Sequence, residues 1–141
     1  MFDSSKYAYE EEEDRAWLAV ENIGAESREE NACGARRLFA IGQLYDARAP
    51  EDDTEKLCWA IDGHSSLVAE VAAALAISRC RAAAQVKMAI ALFTRLPRVL
   101  ATAKTGLFDY RMLAAIVSRA PNSSKTPTCS NGWITAWPKE H

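Results

Sequence analysis

The chain has 141 residues and 15.5 kDa, room for one domain and hardly for two. Its 49% hydrophobic and 26% charged residues exclude a disordered polymer, and 26 alanines against six glycines and five prolines lean towards an all-α fold. The net charge of −2 conceals a division, because residues 1–70 carry 7 Lys/Arg and 17 Asp/Glu whereas residues 71–141 carry 10 and 2.

From the N-terminus, residues 1–14 read as an acidic arm ending in Glu10-Glu11-Glu12-Glu13-Asp14. Such a run is either a solvated lead-in or the first turn of a helix, where acids suit the dipole. A first helix is expected from Arg15 to Ile23, stopped at Gly24, with Trp17 as a core anchor. Ser27 and Glu30 form a capping-box pattern that opens the next helix. On it Ala32, Ala35, Leu38, Phe39, Gly42 and Tyr45 recur at spacings of three and four, one buried stripe.

Ala49-Pro50 breaks that helix. A short helix through Leu57, Trp59 and Ile61 is expected to stop at Asp62-Gly63, with Trp59 a second core anchor. Ser66–Ala76 is the next helix, and Ala76-Ile77-Ser78 the turn after it. Ser78 is a good N-cap for a helix from Arg79 to Leu96, whose inner seam is Ala82, Val86, Ala89, Phe93 and Leu96. Pro97 suits the first turn of a short helix to Lys104. Thr105-Gly106 is a turn, and Asp109–Arg119 a last helix burying Leu113, Ile116 and Val117. Turn-forming residues crowd the stretch after Ala120, so 121–141 reads as an irregular tail with isolated Trp133, Ile134 and Trp137.

Several classes of chemistry find no support. Cys33, Cys58, Cys80 and Cys129 form no CxxC pair, and His64 and His141 lie near none of them, so no zinc site is expected. Cys33, Cys58 and Cys80 read instead as small helix-packing residues. No HExxH, GxSxG, Walker loop or GxGxxG occurs. His64 sits in a polar loop, and Glu29/Glu30 and Asp52/Asp53 read as helix-start charges. The longest apolar stretch, Ser66–Ala76, contains Glu70 and falls short of the ~20 residues of a membrane helix. An acidic N-terminus is not a signal peptide, so a cytoplasmic protein without a membrane partner is expected.

Residues 66–94 carry the most informative local pattern. A helix-turn-helix needs a small residue inside the first helix, a tight turn, and an apolar residue of the second helix packing back. Ala72, Ala76-Ile77-Ser78, and Ala82 with Val86 fill those roles. Ser78, Arg79, Arg81 and Gln85 then fall near the start of the second helix and Lys87 further along, side chains suited to phosphates and base edges of double-stranded DNA. The basic run continues through Arg95, Arg98, Lys104, Arg111 and Arg119, opposed between Ser78 and Ala120 only by Asp109. These cations either track phosphates or pair with the acidic first half.

The stretch Ala35-Arg36-Arg37-Leu38-Phe39-Ala40-Ile41-Gly42, the element Cys58-Trp59-Ala60-Ile61-Asp62 and the alanine-rich helix ending Ile77-Ser78-Arg79 form a pattern with Arg95-Leu96-Pro97 and Gly106-Leu107-Phe108-Asp109. Over residues 15–120 it resembles the helical domain of unknown function in the mycobacterial 13E12 repeat family. In full-length members that domain precedes an HNH endonuclease domain, so the resemblance implies association with DNA. No His-Asn-His site follows here and the sequence after Ala120 departs from the pattern, which implies a truncated copy with no nuclease residue to carry over. The expectation is an all-α, multi-helix bundle with a helix-turn-helix-like pair: arm 1–14, helical domain 15–120 and tail 121–141. Its expected function is non-catalytic, weak binding of double-stranded DNA through Ser78, Arg79, Arg81, Gln85 and Lys87, without metal, cofactor or small-molecule ligand. The competing expectation is a helical protein-interaction module or a remnant that binds no nucleic acid.

Overall fold

The computed structural model describes residues 4–51 and 53–120, leaving out the side chains at 53, 54, 56–58, 60 and 61. Five helices and no strand occur among the described residues: α1 (Ser4–Arg48), α2 (Asp53–Leu75), α3 (Arg79–Arg95), α4 (Pro97–Ala103) and α5 (Tyr110–Arg119). The all-α expectation holds. The expected tail, with Trp133, Ile134 and Trp137, and the side chains of Leu57, Cys58 and Ile61 lie outside the described residues.

The breaks fall where the backbone forces them, and two expected ones vanish. α1 runs through Gly24, because glycine costs a helix about 1 kcal/mol relative to alanine but removes no hydrogen bond. Ser27 and Glu30 therefore lie inside α1 and form no capping box. α2 likewise continues through Asp62-Gly63. A Cβ at Gly63 would sit 2.1 Å from Cδ1 of Trp59, so the glycine makes room for that indole. Trp59 in turn meets Tyr45 of α1 edge-on, with ring centroids 5.5 Å apart. His64 consequently belongs to α2 rather than to a loop.

The α2–α3 turn has the geometry of a helix-ending Schellman motif. Ile77 N–H donates to the Ala72 carbonyl at 3.1 Å and Ala76 N–H to Ala73 at 3.3 Å. Ala76 occupies the left-handed position with φ 51°, where glycine is usual. Ser78 then caps α3, its hydroxyl accepting from Arg81 N–H at 3.3 Å. Pro97 opens α4, and Asp109 caps α5 by accepting from Met112 N–H at 2.7 Å.

α3 is the hub, packed against all four other helices. Ala82, Val86, Ala89 and Leu92 are wholly buried there, joined by Leu38 of α1, Leu67 and Val71 of α2, Leu100 of α4 and Leu113 of α5. Phe93 and Leu96 close the seam half-buried, as do Ile116 and Val117 on α5. α1 approaches α3 closely at Gly42, where a Cβ would lie 2.5 Å from the Phe93 ring. That ring tilts against Phe39 at 5.8 Å, and Lys104 Nζ stands 3.2 Å over the centroid of Phe39. Three expected packing residues are instead exposed: Trp17 on α1, and the thiols Cys33 and Cys80. Trp17 precedes the part of α1 that meets the body, and Cys33 and Cys80 sit on helix faces turned away from the seam.

Two left-handed residues give opposite stability predictions. Ala76→Gly relieves an exposed left-handed alanine and is expected to stabilise the protein by about 1 kcal/mol. Gly106→Ala places a side chain at φ 89° with its Cβ 2.3 Å from the Arg28 carbonyl oxygen, and is expected to cost at least about 2 kcal/mol. Urea unfolding midpoints at unchanged slope measure both.

Candidate nucleic-acid interface

The helix-turn-helix-like pair forms from the residues that the pattern required. Ala72 is buried where α2 crosses α3, the turn closes in three residues, and Ala82 and Val86 pack back at zero exposure. What such a pair offers to a duplex depends on which α3 positions reach water. Those are Arg79, Cys80, Arg81, Ala84, Lys87 and Thr94; the rest are buried or half-buried under neighbouring helices.

The five expected contact residues do not act alike. Ser78 spends its hydroxyl on the cap. Arg79 turns back across the turn, its Nη2 donating to Ser65 Oγ at 3.2 Å and to the Ser65 carbonyl at 3.4 Å. Arg81 and Lys87 stand exposed. Gln85 is half-buried, and its Oε1 is sealed from water without a hydrogen-bond partner. The outward polar groups of α3 are thus mainly cationic ends rather than amides placed for base edges.

Electrostatics decides whether those cations are consumed internally. The ion pairs formed among the described residues are Arg36–Glu29 at 2.8 Å within α1 and Arg48–Glu70 at 3.1 Å between α1 and α2. Neither uses a cation beyond Leu75. Arg81, Lys87, Arg98, Arg111 and Arg119 are all exposed. The one acid of the basic half among the described residues, Asp109, is engaged with the backbone of α5. Both ion pairs are solvent-exposed, so each contributes little to stability.

Arg81 and Gln85 share an open groove of about 340 Å³ with Ala84, Arg37 of α1 and Tyr110 of α5. Arg37 and Tyr110 were not among the expected site residues. The charge of Arg37 belongs to the acidic half by sequence, and only the packing of α1 on α3 sets it beside Arg81. A second groove of about 620 Å³ runs between α3 and α5, floored by Met88, Ala114 and Val117 and edged by Lys87 and Arg95.

Among the described residues, no group of three or more His, Cys, Asp or Glu is placed to hold a metal ion. No helix among them is long and apolar enough to cross a membrane. Fold and surface together define an all-α module whose α3–α5 segment exposes Arg81, Lys87, Arg98, Arg111 and Arg119. Residues 25–130 match the family described as a domain of unknown function, DUF222, and the chain belongs to that family. It is 40% identical over 93 residues to an uncharacterized protein in the est 3' region of Mycobacterium tuberculosis, a span covering 66% of this chain and 26% of that relative. The same identity and span relate it to the uncharacterized proteins Rv3776 and Rv2100 of M. tuberculosis H37Rv, over 17% and 16% of their lengths. The match therefore covers about a quarter or less of these relatives. No solved structure matches the chain.

Glu29 gives a local electrostatic test. A hydrogen bond from Arg36, then one from Cys33, then the Arg36 charge hold its carboxyl below the ordinary carboxylate range. A depressed folded value means that the pairing is present at neutral pH and is lost as pH falls through that lowered midpoint. Arg36→Ala is expected to return the Glu29 midpoint towards the ordinary value in a carboxyl NMR titration.

Proposed function

We propose that this DUF222 module binds double-stranded DNA without base specificity, through phosphates met by the cationic face of α3 and α5. The supporting observation is the unneutralised state of that face. Arg81, Lys87, Arg98, Arg111 and Arg119 are exposed, while the acidic half pairs only with its own cations in the ion pairs described. Arg37 and Arg81 both line one groove, bringing two guanidinium-bearing side chains of the kind that bind phosphate. Tyr110 beside them adds a hydroxyl donor.

Backbone tracking is the reading that these groups favour over sequence readout. Bidentate recognition of a base needs an extended polar side chain on a free face. On α3 only Arg81 and Lys87 offer one, Gln85 hides its amide oxygen, and Cys80 and Ala84 supply none, which is too few groups for a base code along the helix. The 13E12 resemblance points the same way, since it implies a helical module that accompanies an HNH nuclease rather than one that performs the cleavage. In this reading the module holds DNA while chemistry, where there is any, belongs to other parts of longer relatives.

Fluorescence anisotropy with a labelled duplex tests the proposal. Binding at ~50 mM salt is expected to weaken about ten-fold or more by ~200 mM, since two or more phosphates are neutralised. Arg81→Ala and Lys87→Ala are each expected to weaken binding several-fold across unrelated sequences and to lower the salt slope by about one. Arg79→Ala is expected to do less, because its guanidinium is held against Ser65. No binding at tens of micromolar protein and low salt refutes the reading.

A further inference from the structure

The first half of α1 carries an apolar face that nothing among the described residues covers. Among the described residues, burial on α1 begins only at Ala32, and Arg28 and Asn31 meet Gly106. The stretch from Ala8 to Ser27 therefore projects as a helical arm about 30 Å long. Trp17, Val20 and Ile23 are 66%, 59% and 69% exposed. Their i, i+3, i+6 spacing confines them to one side of the helix, with Gly24 between them. Counting round the same helix, Glu10, Glu13 and Glu21 fall beside Trp17. The arm as a whole is strongly acidic, with seven carboxylates against Arg15 between residues 8 and 27. Large apolar side chains left together at a surface mark an interaction site.

The groove between α3 and α5 is the complement of that arm. Its floor is apolar, made by Ala84, Met88, Ala114 and Val117, and its edge carries Lys87 and Arg95. At about 620 Å³ it has room for an indole and branched aliphatic side chains. The arm cannot turn into the groove of its own chain, because α1 is one unbroken helix from Ser4 to Arg48. We infer that the arm of one copy docks in the α3–α5 groove of a second copy, with Trp17, Val20 and Ile23 on the apolar floor and Glu10, Glu13 or Glu21 at the Lys87 edge. Reciprocal exchange of arms closes a two-fold dimer.

Charge selects this arrangement over pairing of arm with arm. Two arms side by side would set one acidic face against another, whereas the groove offers Lys87 beside an apolar bed. The dimer needs no nucleic acid and occupies the Lys87 edge that the DNA-binding reading also uses, so the two compete there and the dimer is tested without DNA.

Sedimentation velocity on the full chain at ~50 µM and low salt is expected to show a dimer whose dissociation constant rises at least ten-fold in Trp17→Glu or Ile23→Glu. Those positions are exposed, and unchanged far-UV circular dichroism confirms that the variants fold. Ala114→Arg blocks the groove and Lys87→Glu reverses the charge of its edge; each is expected to give monomers. Mixing Trp17→Glu with Ala114→Arg restores one intact arm and one intact groove, and is expected to yield a one-to-one heterodimer. A wild-type chain that stays monomeric overturns the inference, as it would if residues 121–141 of the same chain filled the groove. Groove variants that dimerise as tightly as wild type overturn it too, in favour of arm-to-arm pairing.

Discussion

Ala82, Val86 and Ala89 bring no side chain longer than an isopropyl group to the middle of the bundle, and this lets four helices crowd onto α3. Interaxial distances run about 8–10 Å, and the short end needs small facing residues. Gly42 extends the same logic to α1, since its missing Cβ is the space occupied by the Phe93 ring. Burial of α3 on so many sides has a functional consequence. A helix that reads a major groove must leave most of its N-terminal half free. Here that half is free along a narrow strip whose polar ends are Arg81 and Lys87. Under the proposed reading, the same tight packing narrows what α3 can present to a duplex.

The charge division of the chain survives folding because of where each half is placed. The ion pair between helices, Arg48 with Glu70 where α1 ends beside α2, takes both its partners from the first 70 residues. Most carboxylates of α1 lie before the first contact with the body, too far along the helix to reach α3 or α5. Screening reduces interactions between exposed charges beyond roughly 8–10 Å at physiological salt. The protein therefore carries an acidic end and a cationic face that do not cancel, despite a net charge of only −2.

Local punctuation made much of this fold legible. Pro50 and Pro97, the cap Ser78 and the seam through Ala82, Val86 and Ala89 all act over a few residues, so a sequence reader can place them. Gly24 and Gly63 misled for a definite reason. Glycine weakens a helix without ending it, and at Gly63 its smallness serves the Trp59 ring. Trp17 misled because periodicity shows that a face is apolar but not whether a partner covers it. The candidate site was legible only in its α3 part. Arg37 and Tyr110 join Arg81 and Gln85 through contacts between distant segments, and no spacing along the chain reports that. The backward turn of Arg79 onto Ser65 is likewise a matter of rotamer and space, not of sequence position.

An arm that projects as a helix is physically reasonable only because its other half is docked. Starting a helix in water is costly, but extending an existing one adds a hydrogen bond for each residue fixed. The buried stretch from Ala32 onwards supplies that start, and alanines at 16, 19 and 25 favour extension. Two features work against the free arm: an apolar face left in water and the like charges of Glu10–Asp14, three to four residues apart on one helix. Neither is offset by the first-turn dipole, since α1 has no acid in its first turn. A partner that is both apolar and cationic relieves both costs at once, whereas a merely apolar one leaves the repulsion and a merely cationic one leaves Trp17, Val20 and Ile23 wet. That double requirement narrows what can cover the arm, and the α3–α5 groove with Lys87 at its edge meets it.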